Sequence, residues 1–135
     1  MKKLILLALF LVMASVAVDA AVNPGPISVS GTVWGDCYSV HNYQSGAWIG
    51  SLIIWSDGTF GYMFTANGKE YVVEGTWTSQ PNGAYRLLTS TGQTINLAPD
   101  PDFVGPMPPL IGGPFPTPAG GVVGICDFVG SITVP

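Results

Sequence analysis

The sequence predicts an all-β domain: an antiparallel up-and-down β-barrel, or barrel-like meander, of about seven to eight strands with a long Pro-rich loop before the last. Three observations carry this. Short runs rich in β-branched and aromatic residues alternate in polarity with the period of two that a half-buried strand requires. Gly, Asn, Asp and Pro punctuate those runs at the spacing of tight hairpins. After residue 20 no apolar stripe has helical period.

Ile27, Val29 and Val33 share one parity of a first strand, opposite Ser28, Ser30, Thr32 and Trp34. A weaker segment runs from Cys37 to Tyr43. Trp48 to Trp55 is an apolar strand that Ser56-Asp57-Gly58 turns, since Asp and Gly tolerate positive φ. The returning strand, Thr59 to Ala66, sets Phe60, Tyr62 and Phe64 on one face. Asn67-Gly68 makes a second hairpin into Lys69 to Ser79, where Tyr71, Val73, Gly75 and Trp77 share a parity. Gln80-Pro81-Asn82-Gly83 turns the chain into Ala84 to Thr91, and Thr91-Gly92 leads on to Thr94 to Leu97.

The pattern then breaks. Eight prolines fall between Ala98 and Pro118. Proline gives a sheet ladder no donor, so the stretch 98–121 reads as an arm that is neither strand nor helix. Phe103, Val104, Met107, Leu110, Ile111 and Phe115 make it too apolar for a simple linker. It either packs along the barrel or docks on a partner or second subunit. β character returns after Gly121, with a bulge expected at Phe128-Val129-Gly130. The closing Ser131-Ile132-Thr133-Val134 matches Ile27-Ser28-Val29-Ser30 in character, so these segments either pair to close a barrel or remain open edges.

The N-terminus carries an export signal: Lys2-Lys3, an apolar run from Leu4 to Val18 broken by Ser15, then small residues. Val18 and Ala20 suit positions −3 and −1, so residues 1–20 are expected to be removed. Cleavage after Ala17, or retention as an anchor, is the alternative. The run is short for a membrane span, which takes roughly 20 residues. Residues 21–135 then form one β domain, secreted or periplasmic, with no membrane span after cleavage.

That domain has only Lys69 and Arg86 against seven acidic residues. So few cations argue against nucleic acid and anionic membrane surfaces as partners. In an oxidising compartment Cys37 and Cys126 are expected to pair, for about 4–5 kcal/mol in the chain-entropy model. Two free buried thiols are the other possibility.

From Trp48 to Leu97 the rhythm is Asp57-Gly58-Thr59-Phe60, a hairpin, Gly75-Thr76-Trp77, then Tyr85-Arg86-Leu87-Leu88. This resembles lipocalin-like and avidin-like up-and-down β-barrels, over less than half of the exported chain. The resemblance implies a small ligand held within the barrel.

No catalytic set, metal site or cofactor fingerprint emerges. His41 is the sole imidazole, and no nucleophile elbow accompanies it or the carboxylates Asp36 and Asp127. Glu70 and Glu74 lie about 13 Å apart along one strand, too far for paired glycosidase carboxylates. One histidine and two cysteines are too few for a closed zinc shell, and Asp100-Pro101-Asp102 brings too few oxygens for calcium. The aromatics Trp34, Trp48, Phe60, Phe64, Tyr71 and Trp77 are the candidate ligand contacts, as core or as the lining of a cavity. The expected function is a non-enzymatic barrel binding a small hydrophobic molecule or a glycan. The alternative is an extracellular structural or adhesive protein that self-associates through β edges or the Pro-rich arm.

Overall fold

The computed structural model describes residues 33–135. The expected export signal, and Ile27 to Thr32 of the expected first strand, lie outside the described residues. Eight antiparallel strands close into a barrel in sequence order: β1 Val33–Asn42, β2 Trp48–Trp55, β3 Thr59–Ala66, β4 Lys69–Ser79, β5 Tyr85–Thr89, β6 Thr94–Pro99, β7 Leu110–Thr117 and β8 Gly120–Val134. Val33 to Asn42 forms one strand, where the sequence suggested two segments.

The hairpins follow their turn chemistry. Asn67 and Gly68 both take positive φ, 53° and 76°, as the two central residues of a tight hairpin must. At the β2–β3 turn only Gly58 does, at 92°, and the Asp57 carboxylate accepts from the Thr59 amide and hydroxyl at 3.1 and 2.6 Å. The β4–β5 turn is a short 3-10 segment, Pro81–Gly83, with Asn82 at φ 64°.

Closure comes from β1 pairing with β8, Val33 opposite Val134 through Asn42 opposite Gly124. The expected bulge is there: Cys37 pairs with Gly130 and Tyr38 with Phe128, leaving Val129 as the extra residue. The last strand thus pairs with Val33–Asn42; Ile27 to Ser30 lie outside the described residues.

Two expectations are corrected. Half of the stretch 98–121 is strand: β7 lies within it, between the 100–109 loop and a tight turn at 118–119. Pro114 and Pro116 are tolerated because β7 pairs with β6 only from Leu110 to Gly113. Beyond that point it pairs with β8 alone, after a register shift between Gly112 and Phe115. The prolines therefore occupy an edge, where a missing donor costs no ladder bond.

Nor do the cysteines pair; both are free and buried. Their strands are neighbours, but Cys126 lies opposite Val40, three residues along β1 from Cys37, or about 10 Å at the rise of a strand. They also face opposite ways. Cys126 belongs to the inner core, and Cys37 to a separate cluster with Ile53, Trp55, Met63 and Val134. A disulfide needs Cβ atoms about 4 Å apart.

The inner core draws Tyr38, Val40, Leu52, Ile54, Phe60, Tyr62, Phe64, Leu87, Ile95, Leu97, Leu110, Phe115 and Cys126 from seven strands, with Val73 and Trp77 of β4 packed against them. An eight-stranded barrel is just wide enough for such filling.

Candidate functional site

The barrel has two unlike ends. The turn end carries the β1–β2, β3–β4, β5–β6 and β7–β8 turns. The loop end carries the other two turns, the 100–109 loop, and the outer ends of β1 and β8.

At the loop end an aromatic mouth surrounds one carboxylate. Trp34, Asp36 and Tyr38 alternate along β1 on the parity of the inner core, opposite Thr133, Ser131 and Phe128 of β8. The Ser131 hydroxyl donates to Asp36 Oδ1 at 2.9 Å. Tyr38 meets Phe128 edge-on at 5.8 Å, and Trp77 meets Tyr85 edge-on at 5.4 Å. Phe60, almost wholly buried, lies deeper in the core at this end.

Local hydrogen bonds hold these rings. The Trp77 indole N–H donates to the Trp55 carbonyl at 2.7 Å, and its amide donates to the Gly58 carbonyl at 2.9 Å. The Trp34 amide donates to Ser56 Oγ at 3.0 Å, and the Ser56 amide returns a bond to the Trp34 carbonyl at 2.7 Å. The β2–β3 turn therefore fixes both tryptophans at once.

Burial raises the Asp36 carboxyl above its ordinary value, and the Ser131 hydroxyl partly offsets this. The Tyr38 phenol is pushed up, first by burial, then by Tyr85 and Asp36. Tyr85 moves the same way, by burial and by Asp36. The only basic residues after position 32, Lys69 and Arg86, lie elsewhere: Lys69 starts β4 at the turn end, and Arg86 Nε donates to Asn96 Oδ1 at 3.4 Å. The mouth thus offers apolar ring faces, phenol and serine hydroxyls, and a carboxylate to which neither cation is bound.

The turn end is built differently. A ring series runs from Tyr71, 43% exposed, through Phe64 and Tyr62 to Phe115, with centroid distances of 5.3, 5.8 and 4.9 Å. Above Phe115, where β6 and β7 part, a groove of about 640 Å³ is lined by Gly92, Gln93, Thr94, Pro114, Pro116, Thr117, Gly120 and Gly121. Among the described residues no charged side chain lines it.

The six aromatics singled out in the sequence therefore divide. Trp34, Phe60 and Trp77 come together at the loop end. Phe64 and Tyr71 stack at the turn end, and Trp48, 46% exposed at the start of β2, makes no ring contact with them. Asp36, Tyr38, Tyr85, Phe128 and Ser131 were not read as ligand contacts. The parity of β1 carried the signal for Asp36 and Tyr38, which alternate with Trp34; the β8 residues needed the register across the bulge.

The fold and this mouth define a closed, eight-stranded antiparallel meander barrel with an aromatic cluster in its interior. No protein-family model, curated protein or solved structure matches the chain.

Proposed function

We propose that this is an exported, non-enzymatic binding barrel that takes a small ligand at the aromatic mouth of the loop end. The observation carrying this reading is Asp36, held by Ser131 at the same end as Trp34, Tyr38, Trp77 and Tyr85, with neither Lys69 nor Arg86 of the described residues bound to it. Small-molecule sites combine apolar walls with a few placed polar groups. The ligand class that suits such a mouth has a flat or apolar body and at least one hydrogen-bond donor for the carboxylate. Small hydrophobic molecules and glycan faces both qualify, and so do amines, which aromatic faces also attract. The likeness of the strand rhythm to lipocalin-like and avidin-like barrels supports the same reading.

Intrinsic tryptophan fluorescence titrated with lipids, pigments, glycans and amines tests it. A saturable change lost in Trp34→Ala and kept in Tyr71→Ala is the expected result. A response unaffected by Trp34→Ala and abolished by Tyr71→Ala moves the site to the turn end.

Self-association is the second reading, and the 100–109 loop favours it. Phe103, Val104 and Met107 stand 45%, 94% and 56% exposed there, and clustered exposed apolar side chains mark interaction surfaces. The pairing of β1 with β8 directs this reading to the loop, since the two terminal strands complete each other's ladders. Light scattering over a concentration series tests it; a monomer throughout counts against it.

A further inference from the structure

The seam between β6 and β7 is zipped only at the loop end, from Pro99 opposite Leu110 to Asn96 opposite Gly113. Toward the turn end the strands part, and the groove of about 640 Å³ opens between them. Its walls follow from residue type and parity. Ile95 and Phe115 are buried in the inner core, so Thr94, Pro114 and Pro116 take the outward parity and line the groove. Backbone bonds alternate in direction along an antiparallel strand. The Thr89 amide donates to the Gln93 carbonyl at 2.8 Å, so Gln93 and Ile95 face β5 while Thr94 and Asn96 face β7. Asn96 meets Gly113 there, but at Thr94 the ladder has already ended. The Thr94 amide and carbonyl therefore open into the groove. Across from them stand Pro114 and Pro116, which have no N–H to give. At Gly121 a Cβ would come within 2.8 Å of Pro114 Cβ, which makes a tight floor. At Gly92 and Gly120 it would meet nothing within 4 Å, which leaves the rim open.

We propose that this groove is a second binding site, separate from the loop-end mouth, and that it takes a neutral saccharide. Its volume falls within the roughly 300–1,000 Å³ of small-molecule sites. Among the described residues its lining carries no charge, and Arg86 of β5 is turned to Asn96 Oδ1 at 3.4 Å. An ionic ligand would find no counter-charge here, and a desolvated charge without one is costly. Thr94 offers a donor and an acceptor from its backbone, and the Gln93 side-chain amide offers one of each kind again. A sugar hydroxyl both donates and accepts, and it rotates to suit its partner. The C–H faces of a sugar ring suit the aliphatic rings of Pro114 and Pro116. An inserted peptide strand is the competing occupant. It would gain a rung at Thr94, but its carbonyls on the other side would face two prolines without a donor, and unmade bonds of that kind cost more than the rung returns.

Amide NMR of the isotope-labelled protein tests this, titrated with neutral oligosaccharides of the glucan, mannan, xylan and chitin types and, separately, with a short uncharged peptide rich in Ser, Thr and Val. At least one saccharide is expected to shift the amides of Gly92, Thr94 and Gly120 saturably, while the Trp34 and Trp77 indole signals stay in place. Thr94→Trp fills the groove from an exposed position, and it should weaken that saccharide about tenfold or more. Should this variant lose its folded spectrum, Gln93→Ala is read in its place, with an expected weakening of about threefold or more. Shifts confined to the Trp34 and Trp77 indoles, or binding that the folded variant leaves unchanged, overturn the proposal. So does a peptide that moves the groove amides where no saccharide does, or a flat response to every probe.

Discussion

Asp36 of β1 and Ser131 of β8 are cross-strand partners, and the serine hydroxyl donates to the carboxylate at 2.9 Å. This polar link sits in the seam that closes the barrel, at the edge of the aromatic mouth. Because burial raises the carboxyl above its ordinary 3.8, the sign of its effect on stability is fixed. Its contribution is complete below 3.8 and is lost as pH rises through the raised value. Asp36→Asn should therefore be at least as stable as the parent at neutral pH. The gain should stay under about 1 kcal/mol, since the group is only partly shielded from solvent. Urea unfolding at pH 3.5 and pH 7 checks it: the parent loses more stability between the two than the variant does.

Cys37 and Cys126 are predicted to remain thiols in the protein purified without reductant. Intact mass should show two reduced cysteines, and a reductant should leave the unfolding midpoint unchanged. A mass lower by two hydrogens contradicts the fold at β1–β8.

Burial pushes the Cys37 thiol up to about 12 from an ordinary 9.0, and Cys126 rises as well. The buried phenols of Tyr38 and Tyr62 are raised from 10.0. In each case the unfolded chain gives up its proton first. Stability should therefore hold up to about pH 9 and fall steeply from there toward pH 12. Circular dichroism against pH measures this; a flat profile to pH 12 contradicts it.

Gly75→Ala should cost more than Gly68→Ala. A Cβ at Gly75 would collide with the Leu88 carbonyl of the adjacent strand, and backbone cannot step aside as a flexible side chain can. The expected cost is about 1–3 kcal/mol or more. At Gly68 the space is open and only the φ of 76° resists, for about 1 kcal/mol. Thermal unfolding of both variants checks the order.

Trp77→Phe keeps a ring in the mouth but removes the indole donor that satisfies the Trp55 carbonyl. A loss of about 1–3 kcal/mol is expected, with changed ligand response, and denaturant titration reads the first part.

The meander was legible because alternation and turn dipeptides are local signals. Asn67-Gly68, Asp57-Gly58 and Pro81-Asn82-Gly83 all turn where their chemistry said they would. The stretch 98–121 was misread because proline excludes a central strand, and the sequence does not show where β6 stops pairing with β7. Once that register is known, Pro114 and Pro116 fall on an edge. The cysteine pairing failed for a similar reason. Compartment logic counts thiols, while the side of the sheet each one takes depends on the Val129 bulge and the β1–β8 register. Residue type picks out the six aromatics but not their division between the two ends of the barrel, and Asp36, though on the parity of Trp34, gains its Ser131 partner only from the β1–β8 register.

The most direct test of the binding reading is a fluorescence titration of the purified protein with small ligands, run in parallel on Asp36→Asn and Trp34→Ala. The account predicts saturable binding of at least one ligand bearing a flat apolar body and a hydrogen-bond donor, weakened in Asp36→Asn and lost in Trp34→Ala. A flat response across the whole panel, or a binding curve that neither substitution alters, contradicts it.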